Sequence, residues 1–282
     1  MSSSRSSDEA RVRKAAVAGS FYPSTTSSLR SMVQRYLQQA ASDWQGKPRM
    51  LIVPHAGYIY SGWVAAYAYN LLKGRKITTV VMIGPAHYPT SHHGYSMYVD
   101  GAFETPLGRV SIDSSLAQKL LDDDADFADR PESHRLEHCL EVQMPFLQEM
   151  LTDFRIVPIL MRDQGMHRCR RLAEALADVW FDELLLVAST DLSHYHPKKV
   201  AALLDEKVER YIEAVDPDGL QNAIASGEAE MCGGGPAVVA LLAAKKLGFT
   251  EARVLRRADS SDSPDGHAGP AEVVGYLSAV IG

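Results

Sequence analysis

Residues 50–58 read MLIVPHAGY, a short aliphatic run that leads directly into Pro54-His55. Residues 79–88 read TVVMIGPAHY and place His87 behind a second run of the same kind. Continuous runs of Val, Ile and Leu are typical of strands that are buried on both faces of a parallel sheet. Ligands of such sheets bind outside the carboxyl ends of the strands. The two stretches therefore predict that both imidazoles lie at one binding edge.

The rest of the chain alternates similar strands with helical patterns. Further strands are predicted at Arg155 to Leu160, Leu184 to Ser189 and Val273 to Val280. Helices are predicted at Trp63 to Leu72, Ser115 to Leu121, Glu141 to Leu151, His167 to Trp180, Val200 to Ala214, Gly219 to Ala225 and Pro236 to Leu247. This order favours an α/β fold with a mostly parallel mixed sheet and helices on both faces. Tyr95 to Ile112 instead alternates around turn residues, which predicts hairpins beside the main sheet.

Composition and charge exclude several classes of function. The 282 residues are 46% hydrophobic and 23% charged, as in an ordinary globular protein, and a net charge of −6 disfavours a nucleic-acid partner. No apolar run approaches the roughly 18 residues that a membrane span requires. The Ser-rich residues 1–12 are expected to form a disordered leader rather than a secretory signal, with one domain over 13–282. Three cysteines are consistent with reduced thiols in a cytoplasmic protein.

Two further segments bring reactive side chains towards the same edge. The fourth predicted strand runs into Asp191 and His194, and residues 231–236 read MCGGGP just before a predicted helix. Glycines allow close approach of the backbone to a ligand, and a helix start favours a thiolate. Cys232 is therefore the reactive cysteine, whereas Cys139 and Cys169 are expected to be inert and buried.

Each residue also has a simpler structural interpretation. A single histidine after a strand is commonly a capping or core residue, and Cys232 could fill a tight glycine turn. The glycines at 233–235 could cradle a phosphate, although no P-loop pattern surrounds them. The joint placement of His55, His87 and Cys232 favours one pocket that holds a transition-metal ion.

The motifs that carry this chemistry also resemble those of a known family. They are AVAGSFYP from Ala16, PHAGYIYSG from Pro54, GPAHY from Gly84, GAFETPLG from Gly101, LEHCLEVQMPFLQ from Leu136, TDLSHY from Thr190, CGGGP from Cys232 and VVGYLS from Val273. Together they resemble the MEMO family, the mediator-of-ErbB2-driven-cell-motility proteins and their bacterial and archaeal relatives, including system protein B of the AmmeMemoRadiSam type. That family is related in fold to the class III extradiol dioxygenases.

The resemblance implies roles for individual residues. Two histidines and a carboxylate hold Fe(II) in the related dioxygenases, and the corresponding set here is His55, His87 and Cys232, with a thiolate in place of the carboxylate. Iron or copper is the expected ion, and zinc is the alternative. The catalytic base of the dioxygenases matches His194, with Asp191 beside it. Residues expected to line the pocket are Tyr58, Glu137, His138, Glu141, Gly233 and His267.

Some of these assignments have alternatives. Glu141 could instead be an exposed helix residue, and His267 could lie in solvent. His92 and His93 are expected in a solvated loop.

Three functions are consistent with these features. The first is a redox-capable metal protein with a dioxygenase-like pocket, acting on a small phenolic or other aromatic substrate with O2. The second is a non-catalytic module that uses the pocket to bind a peptide, and the third is a zinc hydrolase with His194 or Glu141 as general base. The resemblance also implies AMMECR1-like and radical SAM proteins as partners, and no nucleic acid or membrane.

Overall fold

Strands and helices alternate along most of the chain. The computed structural model describes residues 11–88, 93–123, 125–266 and 268–282. Its strands are β1 (Val12–Arg13), β2 (Met50–Val53), β3 (Thr79–Pro85), β4 (Tyr95–Met97), β5 (Ala102–Thr105), β6 (Gly108–Ser111), β7 (Phe127–Asp129), β8 (Arg155–Met161), β9 (Leu184–Ser189), β10 (His194–His196), β11 (Ala252–Asp259) and β12 (Val273–Ile281). Its α-helices are α1 (Thr26–Gln39), α2 (Tyr58–Tyr69), α3 (Ser114–Asp123), α4 (Pro131–His134), α5 (Met144–Met150), α6 (Met166–Asp178), α7 (Lys198–Glu213), α8 (Pro217–Ala225) and α9 (Gly234–Leu247). Short 3-10 helices lie at Asn70–Leu72, Glu141–Gln143 and Ser260–Asp262.

Four of the five predicted aliphatic runs form the parallel centre of the main sheet. They lie in the order β2-β9-β3-β8, and each neighbouring pair is parallel. Val53 of β2 pairs with Ser189 of β9, and Ile83 of β3 pairs with Ala188 of β9. The carboxyl ends of β2, β9 and β3 therefore meet at one edge. The prediction that these strands end side by side is confirmed.

Antiparallel strands extend this centre on both sides. β12 pairs with β2, β10 and β11, and β4 pairs with β8, in each case antiparallel. The sheet is thus mixed, and its parallel part is confined to the centre and to the β4–β7 pair at one edge. β11 was not predicted, because its three arginines, at 253, 256 and 257, break the aliphatic pattern. An edge strand needs only one buried face and tolerates such residues.

A second, three-stranded sheet contains the predicted hairpin. β5 and β6 form an antiparallel hairpin, and β1 pairs with β5 in parallel. Residues 1–10 of the predicted leader lie outside the described residues, but Val12 belongs to β1. The folded segment therefore begins before residue 13, because the short β1 finds a partner in a hairpin that is distant along the chain.

Helices cover the sheet and largely match the predicted ranges. α2 begins at Tyr58, five residues before the predicted start, and α9 begins at Gly234. α9 ends at Leu247, and the following Gly248, with a φ of +77°, forms a left-handed cap that a glycine adopts without strain. α1 was not predicted, although its buried Leu29, Val33, Tyr36 and Leu37 follow a helical period.

None of the helices in the described ranges is long and apolar enough to cross a bilayer. The predicted positions His92 and His267 lie outside the described residues, and His93 is exposed.

Candidate metal centre

Three donor side chains from separate segments meet at the carboxyl edge of the sheet. His55 follows β2, His87 follows β3, and Cys232 precedes α9. One donor atom of each residue lies within 4.8 Å of the other two. Nε2 of His55 is 3.2 Å from Sγ of Cys232, and the two imidazole rings are 5.1 Å apart. The structure thus brings together the set that the sequence predicted.

Hydrogen bonds around Ser189 fix the tautomer of His55. Oγ of Ser189 donates to the carbonyl of Cys139 at 2.7 Å and accepts from Nε2 of Gln143 at 3.0 Å. Its remaining neighbour is Nδ1 of His55 at 2.9 Å, which must therefore carry the proton. Burial, with His87 and His138 nearby, lowers the pKa of His55 well below its usual value. A neutral ring with a free Nε2 lone pair is the form that binds metals.

Glu137 performs the corresponding role for His87. Its carboxylate accepts from the backbone N–H of His87 at 2.7 Å and from Nδ1 at 2.9 Å, and also from the N–H groups of His138 and Cys139. Burial opposes ionisation, but these hydrogen bonds and His87 hold the pKa of Glu137 at about 2. Nδ1 of His87 is therefore occupied, and Nε2 remains for coordination.

The backbone around Cys232 is packed too closely for larger residues. A Cβ atom at Gly233 would lie 2.3 Å from the carbonyl oxygen of Ser189. Gln164 donates to the carbonyl of Cys232 at 2.9 Å and accepts from the N–H of Gly235 at 2.7 Å. Glycine at 233 therefore lets the cysteine segment lie against the end of β9.

The thiol itself is protonated in the protein alone. Burial, with the carboxylate of Asp191 nearby, raises the pKa of Cys232 to about 12. The expected thiolate at a helix start is therefore outweighed by desolvation, and a bound cation would have to supply the missing positive charge. The N–H of Asp191, 3.2 Å from Sγ, would favour the ionised sulfur.

Asp191 and His194 each have partners that the sequence did not predict. Oδ1 of Asp191 accepts from the N–H of His55 at 2.8 Å, so Asp191 contacts both ligand segments. Burial raises its pKa to about 6. His194 instead has its N–H 3.1 Å from Oε1 of Glu230, and its Nδ1 is 4.0 Å from the same oxygen. His194 therefore has a contact with Glu230 that the sequence did not predict.

His138 lies beside the donor set. Its ring stacks on His87 at 4.8 Å and packs against Phe21 at 4.8 Å, with 17% of the side chain exposed. His87, Glu137 and His138 also form a group whose donor atoms lie within 4.8 Å. We assign Glu137 to orienting His87, because both its oxygens already accept hydrogen bonds.

Two predicted lining residues lie in the core instead. Tyr58 donates to the carbonyl of Val142 at 2.6 Å and is 2% exposed. Glu141 is 1% exposed, so the alternative of an exposed helix residue is wrong. Its oxygens accept from Arg13, Tyr22 and the N–H groups of Ala16 and Val17. Such a saturated carboxylate anchors the N-terminal segment and is unsuited to act as a general base.

A groove of about 460 Å³ lies elsewhere, between α7 and β11. Lys198 pairs there with Asp259 and Asp262, and Arg257 pairs with Glu209. Each cation in these pairs is balanced by a carboxylate of the same groove, so we assign no ligand to this groove.

The donor set fits a transition-metal ion. Bonds of about 2.1 Å to nitrogen and about 2.3 Å to sulfur place two ligands of one tetrahedral ion about 3.6 Å apart. The His55–Cys232 distance of 3.2 Å requires a shift of only a few tenths of an ångström. Two imidazoles and one thiol suit copper, zinc or iron.

Comparisons with known proteins place the chain in a family. A family model described as Memo-like protein matches residues 13–280. A MEMO1 family protein of Thermoplasma volcanium is 35% identical, and the alignment covers 95% of this chain and 98% of the relative. A MEMO1 family protein of Methanothermobacter thermautotrophicus is 36% identical, with 96% of this chain and 98% of the relative covered. One of Caldivirga maquilingensis is also 36% identical, with 94% of this chain and 97% of the relative covered. This chain belongs to the MEMO family.

Several supporting residues of this MEMO-family site were not predicted. Ser189 contacts His55, Gln143 contacts Ser189, and Glu230 contacts His194, in each case from a segment that is distant along the chain. Ser189 carried a usable signal, because it ends the strand between the two histidine strands. Gln143 and Glu230 carried none, since polar residues in helical or loop segments are common and usually solvated.

Proposed function

We propose that this chain is a redox-capable metalloprotein in which His55, His87 and Cys232 hold one iron or copper ion for chemistry on a small phenolic substrate with O2. The observation that carries the proposal is the convergence of the three donors, whose ligand atoms lie within 4.8 Å of one another. When bound, the ion would supply Lewis acidity and electron transfer.

The chain prepares the ligands in a way that supports this proposal. Ser189 and Glu137 occupy the Nδ1 atoms of His55 and His87, so both rings are held with Nε2 available. Histidines with only a structural role would not need both Nε2 atoms to be left available beside a thiol. Because the thiol of Cys232 is protonated in the protein alone, metal binding releases its proton and strengthens as the pH rises.

His194 is the proposed proton-transfer residue. Its side chain is 29% exposed, and Glu230 holds its backbone at the rim. A partly exposed imidazole can accept a proton from a phenol and pass it to solvent. Asp191 contacts the backbone of His55 and the sulfur of Cys232, and we assign it to holding these two ligand segments.

Metal analysis of the untagged protein, purified without chelators, tests the proposal. Wild type should carry one iron or copper ion per chain, and His55→Ala, His87→Ala and Cys232→Ser should each lose it. His167→Ala is the matched control, because His167 is an exposed histidine on α6. Full metal content in the three site variants would rule out the shared centre.

Turnover assays separate the functions. His194→Ala should keep the metal but lose about two to four orders of magnitude in aerobic oxidation of phenols. Hydrolysis that requires zinc and proceeds without O2 would indicate a hydrolase instead. Peptide binding that is unchanged after metal removal would indicate a binding module.

A further inference from the structure

Tyr195 has an unusual backbone conformation at the rim of the candidate centre. Its φ is +59°, in the left-handed region that bulky residues rarely adopt. It lies between His194 and His196 of β10, where the pairing with Val274 and Val273 of β12 shifts register. Bulges of this kind redirect side chains and are frequent beside active sites.

The conformation is imposed from both sides. One carboxylate, that of Glu230, accepts from the N–H of His194 at 3.1 Å and lies 2.7 Å from Nε2 of His196. On the side before Tyr195, Ser193 accepts from the N–H of Gly275 at 2.8 Å. Strained residues persist where their surroundings hold them in this way, and such strain is concentrated at functional sites.

The side chain that this strain presents is largely exposed. Tyr195 is 72% exposed, and its ring lies 5.9 Å from the ring of His194. Seven large apolar side chains are exposed within the described ranges, and four of them lie within four positions of a site histidine. These four are Ile59, Tyr88, Leu136 and Tyr195. These four exposed apolar side chains are therefore close in sequence to histidines of the site.

We propose that Tyr195 is a specificity-determining residue whose ring packs against an aromatic ring of the substrate at the mouth of the centre. The inference deepens the proposed function and rests on it. Aromatic rings attract one another in offset or edge-to-face geometry, and Tyr supplies a large contact with few rotatable bonds. A ring next to His194 would orient the substrate hydroxyl towards the proposed proton-transfer group.

Three substitutions separate the ring from the backbone strain. Tyr195→Phe keeps both, Tyr195→Ala removes the ring and keeps the strain, and Tyr195→Gly removes both. Asp153→Gly is the strain control, because Asp153 is exposed, has a φ of +52° and lies in the loop before β8. Phe181→Ala is the ring control, as it removes an exposed aromatic side chain from the segment before β9.

The experiment measures ligand binding to Fe(II)-loaded protein under nitrogen. Two bidentate probes are compared, 4-nitrocatechol with an aromatic ring and acetohydroxamate without one. Tyr195→Ala and Tyr195→Gly should weaken nitrocatechol binding by about tenfold, while acetohydroxamate binding and iron content stay at wild-type values. Tyr195→Phe, Asp153→Gly and Phe181→Ala should bind both probes like wild type.

The outcomes distinguish this inference from the proposed function. Unchanged nitrocatechol binding in Tyr195→Ala, or equal weakening of both probes, would overturn the role of Tyr195 while the metal centre stands. The role of Tyr195 would also be overturned if the wild-type protein bound acetohydroxamate but did not bind nitrocatechol. A wild type that retains no iron and binds neither probe would refute the proposed function as well.

Discussion

Oγ of Ser189 lies 2.9 Å from Nδ1 of His55, and this contact joins the end of β9 to the ligand that follows β2. Ser189 also contacts Gln143, whose Oε1 accepts from Tyr69 at 2.8 Å. The ligand is therefore connected to a buried polar network that reaches α2. In such a network every donor and acceptor needs its partner, so the loss of one group affects the others.

Ser189→Ala should weaken metal binding by about 10- to 100-fold, because His55 loses the contact that fixes its tautomer. The free energy of unfolding should also fall by about 1–3 kcal/mol, since buried N–H groups lose their acceptor. Titration calorimetry and urea unfolding measure the two effects. Ser278→Ala is the matched control, because the buried hydroxyl of Ser278 has no hydrogen-bond partner within the described ranges. Equal metal affinity of the two variants would contradict the assigned role of Ser189.

Cys232 should react with iodoacetamide before Cys139 and Cys169 in the folded, metal-free protein. Cys139 and Cys169 are 0% exposed, whereas Cys232 is half-buried. Alkylation requires access as well as ionisation, so exposure should decide the order. Mass spectrometry after timed labelling measures it, and all three thiols should react in urea. Added iron or copper should slow the labelling of Cys232, and an unchanged rate would count against it as a ligand.

Arg13→Met should lower the free energy of unfolding by about 3–5 kcal/mol, because it leaves the buried carboxylate of Glu141 without its cation. Lys14→Met is the neighbouring control, since the Lys14–Glu104 pair is exposed on the lysine side and should contribute little to stability. Chemical unfolding monitored by circular dichroism compares the variants. A loss in Arg13→Met no larger than that in Lys14→Met would show that the buried pair is not important for stability.

Asp205 should make the stability of the metal-free protein depend on pH between about 4 and 6. Burial raises its pKa from 3.8 to about 6, so the folded state binds more protons than the unfolded state in that range. The free energy of unfolding should therefore fall as the pH rises through this window. Asp205→Asn keeps an acceptor for the N–H of Ser193, at 3.1 Å, but cannot ionise. Relative to wild type it should gain about 1–3 kcal/mol between pH 4 and pH 7.

Unfolding curves at several pH values in the same buffer test this expectation. A constant difference between wild type and Asp205→Asn across the window would show that Asp205 does not titrate there. Exposed carboxylates contribute equally to both proteins and cancel in the comparison.

The identity of the three candidate donors could be predicted before the structure was known. His55 and His87 follow buried aliphatic runs, and Cys232 precedes a glycine-rich helix start. The roles of Asp191, Glu141 and Tyr58 could not be predicted in the same way. Their polar atoms bond to residues that are distant along the chain, and no local pattern records such partners.

The sequence by itself determined the central strands and most of the helices, the parallel centre of the sheet and the edge at which His55 and His87 lie. These features follow from hydrophobic period and from the geometry of parallel strands, both of which are local or topological. Only the tertiary structure decided which nitrogen of each imidazole is free, that Glu230 contacts His194, and that Arg13 pairs with Glu141. Hydrogen bonds depend on distances of a few tenths of an ångström between distant segments, and only the packed chain sets those distances.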